Sequence, residues 1–385
     1  MTQKTVLLVA AAALNLGCFA VSSAIAEEFP TPLPVEELLN IKKLPAKYPT
    51  GWAFLNYSTN RIELRNVGAD SREVKGNLQS RDSATLLVSD TRPEIYVADT
   101  VWSRGTRGVR TDFISIYDRE TLNPIGEIVL PGAKRGLMTA MEGMFAFIDD
   151  QKMALVFDLT PQASVTVVDL VNRKVLGDIE IPGCALVYPT GKRGFSTLCA
   201  SGTMLSVQLD ANGALVSRSE TKVFNPLDSD PLFTASAELA GIRYFPSFHG
   251  RIQAIDLRGD AAKILADWPL VPVADLSGNW RPSGWQILAS DEHKQLYVLM
   301  QRDGHEGTHK EPANEVWVYD AASKTRVRRL PLVRPGSSLA LTHGAEALML
   351  VQAGERLDVY DLKGALLRSL DLPGFTTRMQ IEPLR

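Results

Sequence analysis

The sequence predicts an all-β chain, a seven-bladed β-propeller of four-stranded antiparallel blades, and three observations carry that prediction. A hairpin pattern returns seven times: an alternating, apolar-rich strand ending in Asp or Asn, a short polar turn, and a second strand. Its strand-end residues, Asn66, Asp118, Asp169, Asp210, Asp256, Asp320 and Asp361, are spaced by 41 to 64 residues, a unit that suits a four-stranded blade. No long amphipathic helical pattern competes with these strands.

In chain order, residues 1–26 read as an export signal. Lys4 precedes the apolar run "VLLVAAAALNLGCFAV", and Ala24, Ile25 and Ala26 form a small-residue cleavage site before Glu27. The run is short for a membrane span and carries Asn15 inside it. A lipid anchor on Cys18 is the alternative, set against a poor lipobox. Residues 27–49 then make an N-terminal extension and residues 50–385 the propeller, expected in the periplasm. Removing Lys4 takes the formal charge from −3 to −4. That near-neutral balance gives no reason to expect nucleic acid or an anionic membrane as partner, and leaves proteins or small molecules.

The first hairpin, "IELRNVGADSREVKG", is the weakest copy; "FISIYDRETLNPIGEIVLPG", "VTVVDLVNRKVLGDIEIPG" and "LDVYDLKGALLRSLDLPG" are among the clearest. Period-two alternation predicts strands with one buried face, and a lone hairpin leaves apolar surface that a neighbouring blade must cover. The strand-end carboxylates predict Asx turns, which their short side chains close locally, rather than metal or acid-base groups. Within "CALVYPTGKRGFSTLC", Cys184 and Cys199 are the two cysteines left after the signal. An oxidising compartment and a turn containing Gly191 and Gly194 predict that they are joined, with two free buried thiols as the alternative.

The 64-residue interval from Asp256 to Asp320 holds the segment HEGTH, which fits H-E-x-x-H. In a zinc peptidase His305 and His309 share one helix face and Glu306 acts on bound water. Gly304, Gly307 and Pro312 oppose a helix, and "VRRLPLVRPGSS" offers no third ligand. The segment is therefore expected to be an inter-strand loop without metal, on a face that binds partners.

Three stretches carry a family resemblance: "SRGTRGVRTDFISIYDRETL" at 103–122, "GNWRPSGWQ" at 278–286 and "DGHEGTHKEPANEVWVYD" at 303–320. They resemble the heavy subunit of periplasmic quinoprotein amine dehydrogenases, of both the methylamine and the aromatic amine type, and the EGTHK loop is more similar to the latter. The resemblance implies a seven-bladed propeller with no catalytic residue or cofactor of its own. The cofactor it implies is tryptophan tryptophylquinone in a separate, disulfide-rich light subunit, with two heavy and two light chains assembled. Primary amines become aldehyde and ammonia there, and electrons pass to a blue copper protein. Cys184 and Cys199 fall where the family has its heavy-chain disulfide. Arg104, Arg107, Arg110 and His309 are the candidate contacts with the light subunit. Phe54 and Tyr57 are candidates for a channel aromatic that the family carries on a longer loop of its first blade. The six tryptophans read as blade packing. The competing reading is a stand-alone periplasmic propeller that binds a protein or small ligand without a quinone subunit.

Overall fold

Seven antiparallel sheets succeed one another along the chain, each pairing strands that are neighbours in sequence. The computed structural model describes residues 43–59, 61–70, 73–81, 83–374 and 378–384. The signal segment with Cys18, and most of the 27–49 extension, lie outside the described residues. β1 (Trp52–Thr59), β2 (Arg61–Asn66) and β3 (Val74–Gln79) are the outer three strands of blade 1. Its innermost strand comes from the far end of the chain: Gln380–Pro383 pairs with β1, setting Leu55 opposite Ile381. Blade 2 runs outward through β4 (Thr85–Val88), β5 (Glu94–Arg104), β6 (Arg107–Asp118) and β7 (Pro124–Leu130). Blades 3 to 7 occupy residues 145–180, 184–220, 237–269, 281–336 and 338–371. Blade 5 breaks its outermost strand in two, and blade 6 its innermost, so these two sheets count five strands.

The seven strand-end residues all close the third strand of their blade, and their side chains build the following turn. Asp169 Oδ1 accepts from the N–H groups of Val171 and Asn172, each at 2.9 Å. Asp210 Oδ1 accepts from Asn212 and Ala214, and Asp361 Oδ1 from Lys363 and Ala365. The backbone N–H groups of Ala214 and Asn212 hold the Asp210 carboxyl below its ordinary range. Arg258, through its side chain first and its N–H second, holds Asp256 at about 2.

The expectation of one buried face per strand needs correction. Several third strands, among them β2 and Arg251–Asp256, are buried along their whole middle, because each blade is sandwiched between two others, whereas β6 keeps an alternation of buried and half-buried residues. The polar members of the alternation are inside and paired. Arg65 Nε donates to Glu63 Oε1 at 2.7 Å with both side chains fully buried. Thr166 Oγ1 donates to Asp158 at 2.6 Å, and Gln253 Nε2 to Leu265 O at 2.7 Å. True in-out alternation survives on outermost strands, where one side meets solvent, as in Thr325–Gly336.

Apolar clusters fill the clefts between blades. Phe54, Ile62 and Leu64 of blade 1 meet Leu86, Ile95 and Val97 of blade 2. Ile114 and Ile116 of blade 2 meet Val156 and Val168 of blade 3. The ring closes where Leu350, Leu357 and Val359 of blade 7 meet Leu55 and Ile381 of blade 1. At roughly 2 kcal/mol for each fully buried large aliphatic side chain, every cleft contributes substantially to stability, and no blade can do without its neighbours.

Strand direction alternates within a blade, so two kinds of link share one face: those from second to third strand, and those from one blade to the next. The remaining links share the other face. The first face collects the long connections 131–144, 221–236 and 270–280 and the loop 302–312; the second collects tight turns, including all those built on the strand-end residues.

Candidate docking face and axial cavity

On the long-connection face, the HEGTH segment lies between the Gln295–Gln301 and Ala313–Asp320 strands of blade 6. It is not an α-helix. Gly307 takes φ 91°, and a single 3-10 turn, Thr308–Lys310, follows. Thr308 fixes that turn, accepting from His305 N at 3.1 Å and donating to His305 O at 2.8 Å. The two histidines do different things. The His305 ring is exposed, while that of His309 is half-buried, packing edge-on against Phe248 at 5.8 Å and tilted towards Phe233 at 6.5 Å. Glu306 accepts from Arg281 at 3.1 Å and faces His249 Nε2 at 3.3 Å. Those two partners, His249 first, hold its carboxyl below the ordinary range, the state of an ion-pair acceptor rather than of a proton carrier. Among the described residues, no group of three or more His, Cys, Asp or Glu is placed to hold a metal ion.

The 103–112 segment is a β-ribbon. β5 and β6 continue past their neighbours, with Trp102 opposite Arg110 and Arg104 opposite Arg107, and turn at Gly105 and Thr106. Gly105 sits at φ 71° and Gly108 at φ 100°, where a Cβ would lie 2.3 Å from Ser103 Oγ. Gly108 in particular lies in a region that favours glycine. Arg104 and Arg107 are exposed at the tip. Arg110 does not share that position. It is half-buried, donating from Nε and Nη2 to the two oxygens of Asp112, each at 2.9 Å.

Phe54 and Tyr57 are also placed differently from expectation. Phe54 is fully buried between blades 1 and 2, and the buried Tyr57 hydroxyl donates to Glu63 at 3.2 Å. Neither ring faces open space, because β1 is an interior strand of its blade. Cys184 and Cys199 are joined, lying directly opposite each other in the first two strands of blade 4. Trp280 and Trp317 pack at 5.0 Å with Arg329 against both rings, and Trp268 packs on Tyr319 at 5.3 Å.

Sequence reading missed the axial cavity. It holds about 640 Å³ and is walled by inner strands and by the 141–143 segment, among them Glu142, Arg243, Phe145, Phe147, Val187 and Gln380. The Glu142 carboxylate accepts from the Arg243 guanidinium and from the hydroxyl and N–H of Ser236 at 3.1 and 3.3 Å. Arg243 lies 5.4 Å from the Tyr188 ring, whose hydroxyl burial pushes well up. Towards the long-connection face a smaller recess adjoins it, lined by Trp285, Met141 and Thr234. No spacing rule links Glu142, which precedes blade 3, to Ser236 and Arg243 at the entry to blade 5. Leu137, Leu159, Val223, Val273 and Leu276 stand exposed on connections of the same face.

Comparison with known proteins specifies the relatives. The family model described as methylamine dehydrogenase heavy chain matches residues 35–371. The methylamine dehydrogenase heavy chain of Methylorubrum extorquens is 29% identical over 284 residues, 73% of this chain and 68% of that one. The protein of the same name from Paracoccus versutus is 31% identical over 288 residues, 72% of this chain and 66% of that one. Among solved structures, a periplasmic gluconolactonase from Pseudomonas aeruginosa superposes with TM-score 0.56 at 15% identity, covering 87% of this chain and 99% of that one, a likeness of fold alone. With the propeller, the disulfide and a match over most of its length, this chain belongs to the methylamine dehydrogenase heavy chain family.

Proposed function

We propose that this chain is the non-catalytic heavy subunit of a periplasmic, tryptophan tryptophylquinone-dependent amine dehydrogenase. Primary amines are oxidised to aldehyde and ammonia on a separate light subunit, two of which assemble with two heavy chains, and a blue copper protein takes the electrons. The observation that carries this reading is the family match over residues 35–371. The chemistry is consistent with it. Oxidative deamination by way of a Schiff base needs an electrophilic carbonyl that can store two electrons, which the quinone supplies and an unmodified side chain does not. What this chain offers is a rigid face of long connections around an axial mouth, able to seat a partner and exclude water from its site.

The test is expression of the tagged chain with and without the small, cysteine-rich polypeptide expected as its partner. Alone, the chain should fold and show no amine-dependent dye reduction. With its partner, it should purify as a complex whose quinone absorbance is bleached by amine. Activity in the lone chain would refute the division of labour, and a chain that takes up no such polypeptide would favour the stand-alone propeller.

A further inference from the structure

Among the described residues, the ribbon of blade 2 has no counterpart of its kind on the other blades. The ladder with β4 ends at Ala98 and the ladder with β7 at Asp112. Beyond them residues 99–111 continue as two strands with free outer edges, Val101–Arg104 adding on the order of 13 Å at about 3.3 Å per residue. Such a projection would ordinarily be pliable. Here its base is tied down by one carboxylate, Asp112, which is 1% exposed. It accepts from Arg110 Nε and Nη2, from Thr100 Oγ1 at 2.7 Å and from the N–H of Arg135 at 2.8 Å. The buried Arg135 side chain then reaches Thr100 Oγ1 at 3.1 Å and Ser83 O at 2.8 Å, fastening the ribbon to the connections on either side of blade 2. The tip is the opposite. Among the described residues neither Arg104 nor Arg107 has a carboxylate partner, the one hydrogen bond from the Arg107 guanidinium going to Thr106 O, and Val109 beside them is 72% exposed.

We propose that residues 99–111 are a preorganised docking arm that seats the Arg104 and Arg107 guanidinium groups, with Val109, in an acidic recess of the light subunit. Arg110, Asp112 and Arg135 are positioning residues. The inference rests on the subunit reading above and adds the recognition chemistry: two planar cations without an acidic partner in their own chain find carboxylates on the partner, and an arm already ordered loses little freedom on docking.

Association is followed by mixing isolated heavy chain and isolated light subunit, reading light scattering and recovered amine-dependent dye reduction at about 0.05 and 0.5 M salt. Wild-type association should slow by an order of magnitude or more across that range. The double variant Arg104→Gln/Arg107→Gln should associate about 10-fold slower at low salt and lose most of the salt dependence, with the melting temperature of the heavy chain unchanged. Asp112→Asn should raise hydrogen exchange across 99–111 and slow association while keeping the salt dependence, since the tip charges remain. A double variant with the wild-type rate and salt dependence overturns the arm while leaving the subunit reading intact. Failure of the wild-type chain to bind any light subunit overturns both. Raised exchange in Asp112→Asn without slower association removes the positioning role.

Discussion

Asp158 sits in an environment that conflicts with its charge. It is 1% exposed at the end of a fully buried strand, and burial, with Asp178 and Asp112 adding repulsion, raises its carboxyl to about 6 against the pull of Thr166 and Lys134. Between the ordinary value near 4 and about 6, the folded chain holds a proton that the unfolded chain has released, so stability falls as pH rises through that window. Asp158→Asn should therefore flatten stability between pH 4 and pH 6 and raise it at pH 8 by on the order of 2 kcal/mol, measured by denaturant titration at each pH. An unchanged pH dependence would mean that the carboxyl is not the group responsible. No such residue was legible beforehand. Asp158 precedes "LTPQAS" like any acidic residue at a loop, and only the fold puts Arg135 and Asp178 around it.

At the scale of elements, what could be read from the sequence was what is local. The Asx turns after the third strands were legible because acceptor and donors lie within about four residues of each other, as in Asp210 to Ala214. The non-helical backbone at HEGTH was legible for the same reason, through Gly304 and Gly307. The ribbon was not: "SRGTRGVRT" has charged and small residues on both faces, because a projecting pair of strands has no core to impose an apolar side. Arg110 was assigned to the surface with its neighbours because nothing in sequence distinguishes it from Arg104 or Arg107; its turn inward depends on Asp112 and on a carbonyl 25 residues away, Arg135 O. The disulfide belongs to this scale as well, since it ties the first two strands of blade 4 across a separation of 15 residues. Replacing Cys184 and Cys199 together by alanine should cost roughly 3 kcal/mol in unfolding free energy, with the circular dichroism of the folded state retained. A cost below about 0.5 kcal/mol would show that the β-ladder alone already holds the hairpin in the denatured ensemble.

For the whole molecule, the repeat length foretold the number of blades but not how the ring is locked. Six blades are continuous in sequence, whereas the seventh sheet joins Gln380–Pro383 to β1, a pairing that no period reveals because it involves no repeat. Its inner residues Met379 and Ile381 are fully buried in the cleft with blade 7. Truncation after residue 377 should therefore lower the melting temperature by about 7 °C and broaden the transition in calorimetry, since losing Ile381 and Met379 together removes on the order of 5 kcal/mol. An equally sharp transition at the wild-type temperature would show that the remaining contacts between blades 7 and 1 suffice. The same lock carries a consequence for biogenesis. A chain made from its N-terminus synthesises β1 long before the strand that completes its sheet, so β1 keeps an unpaired inner edge throughout elongation. Six blades can nucleate as they emerge, but the clasp forms last and over the longest possible loop, making final closure a slow, late step on which the lifetime of aggregation-prone intermediates depends.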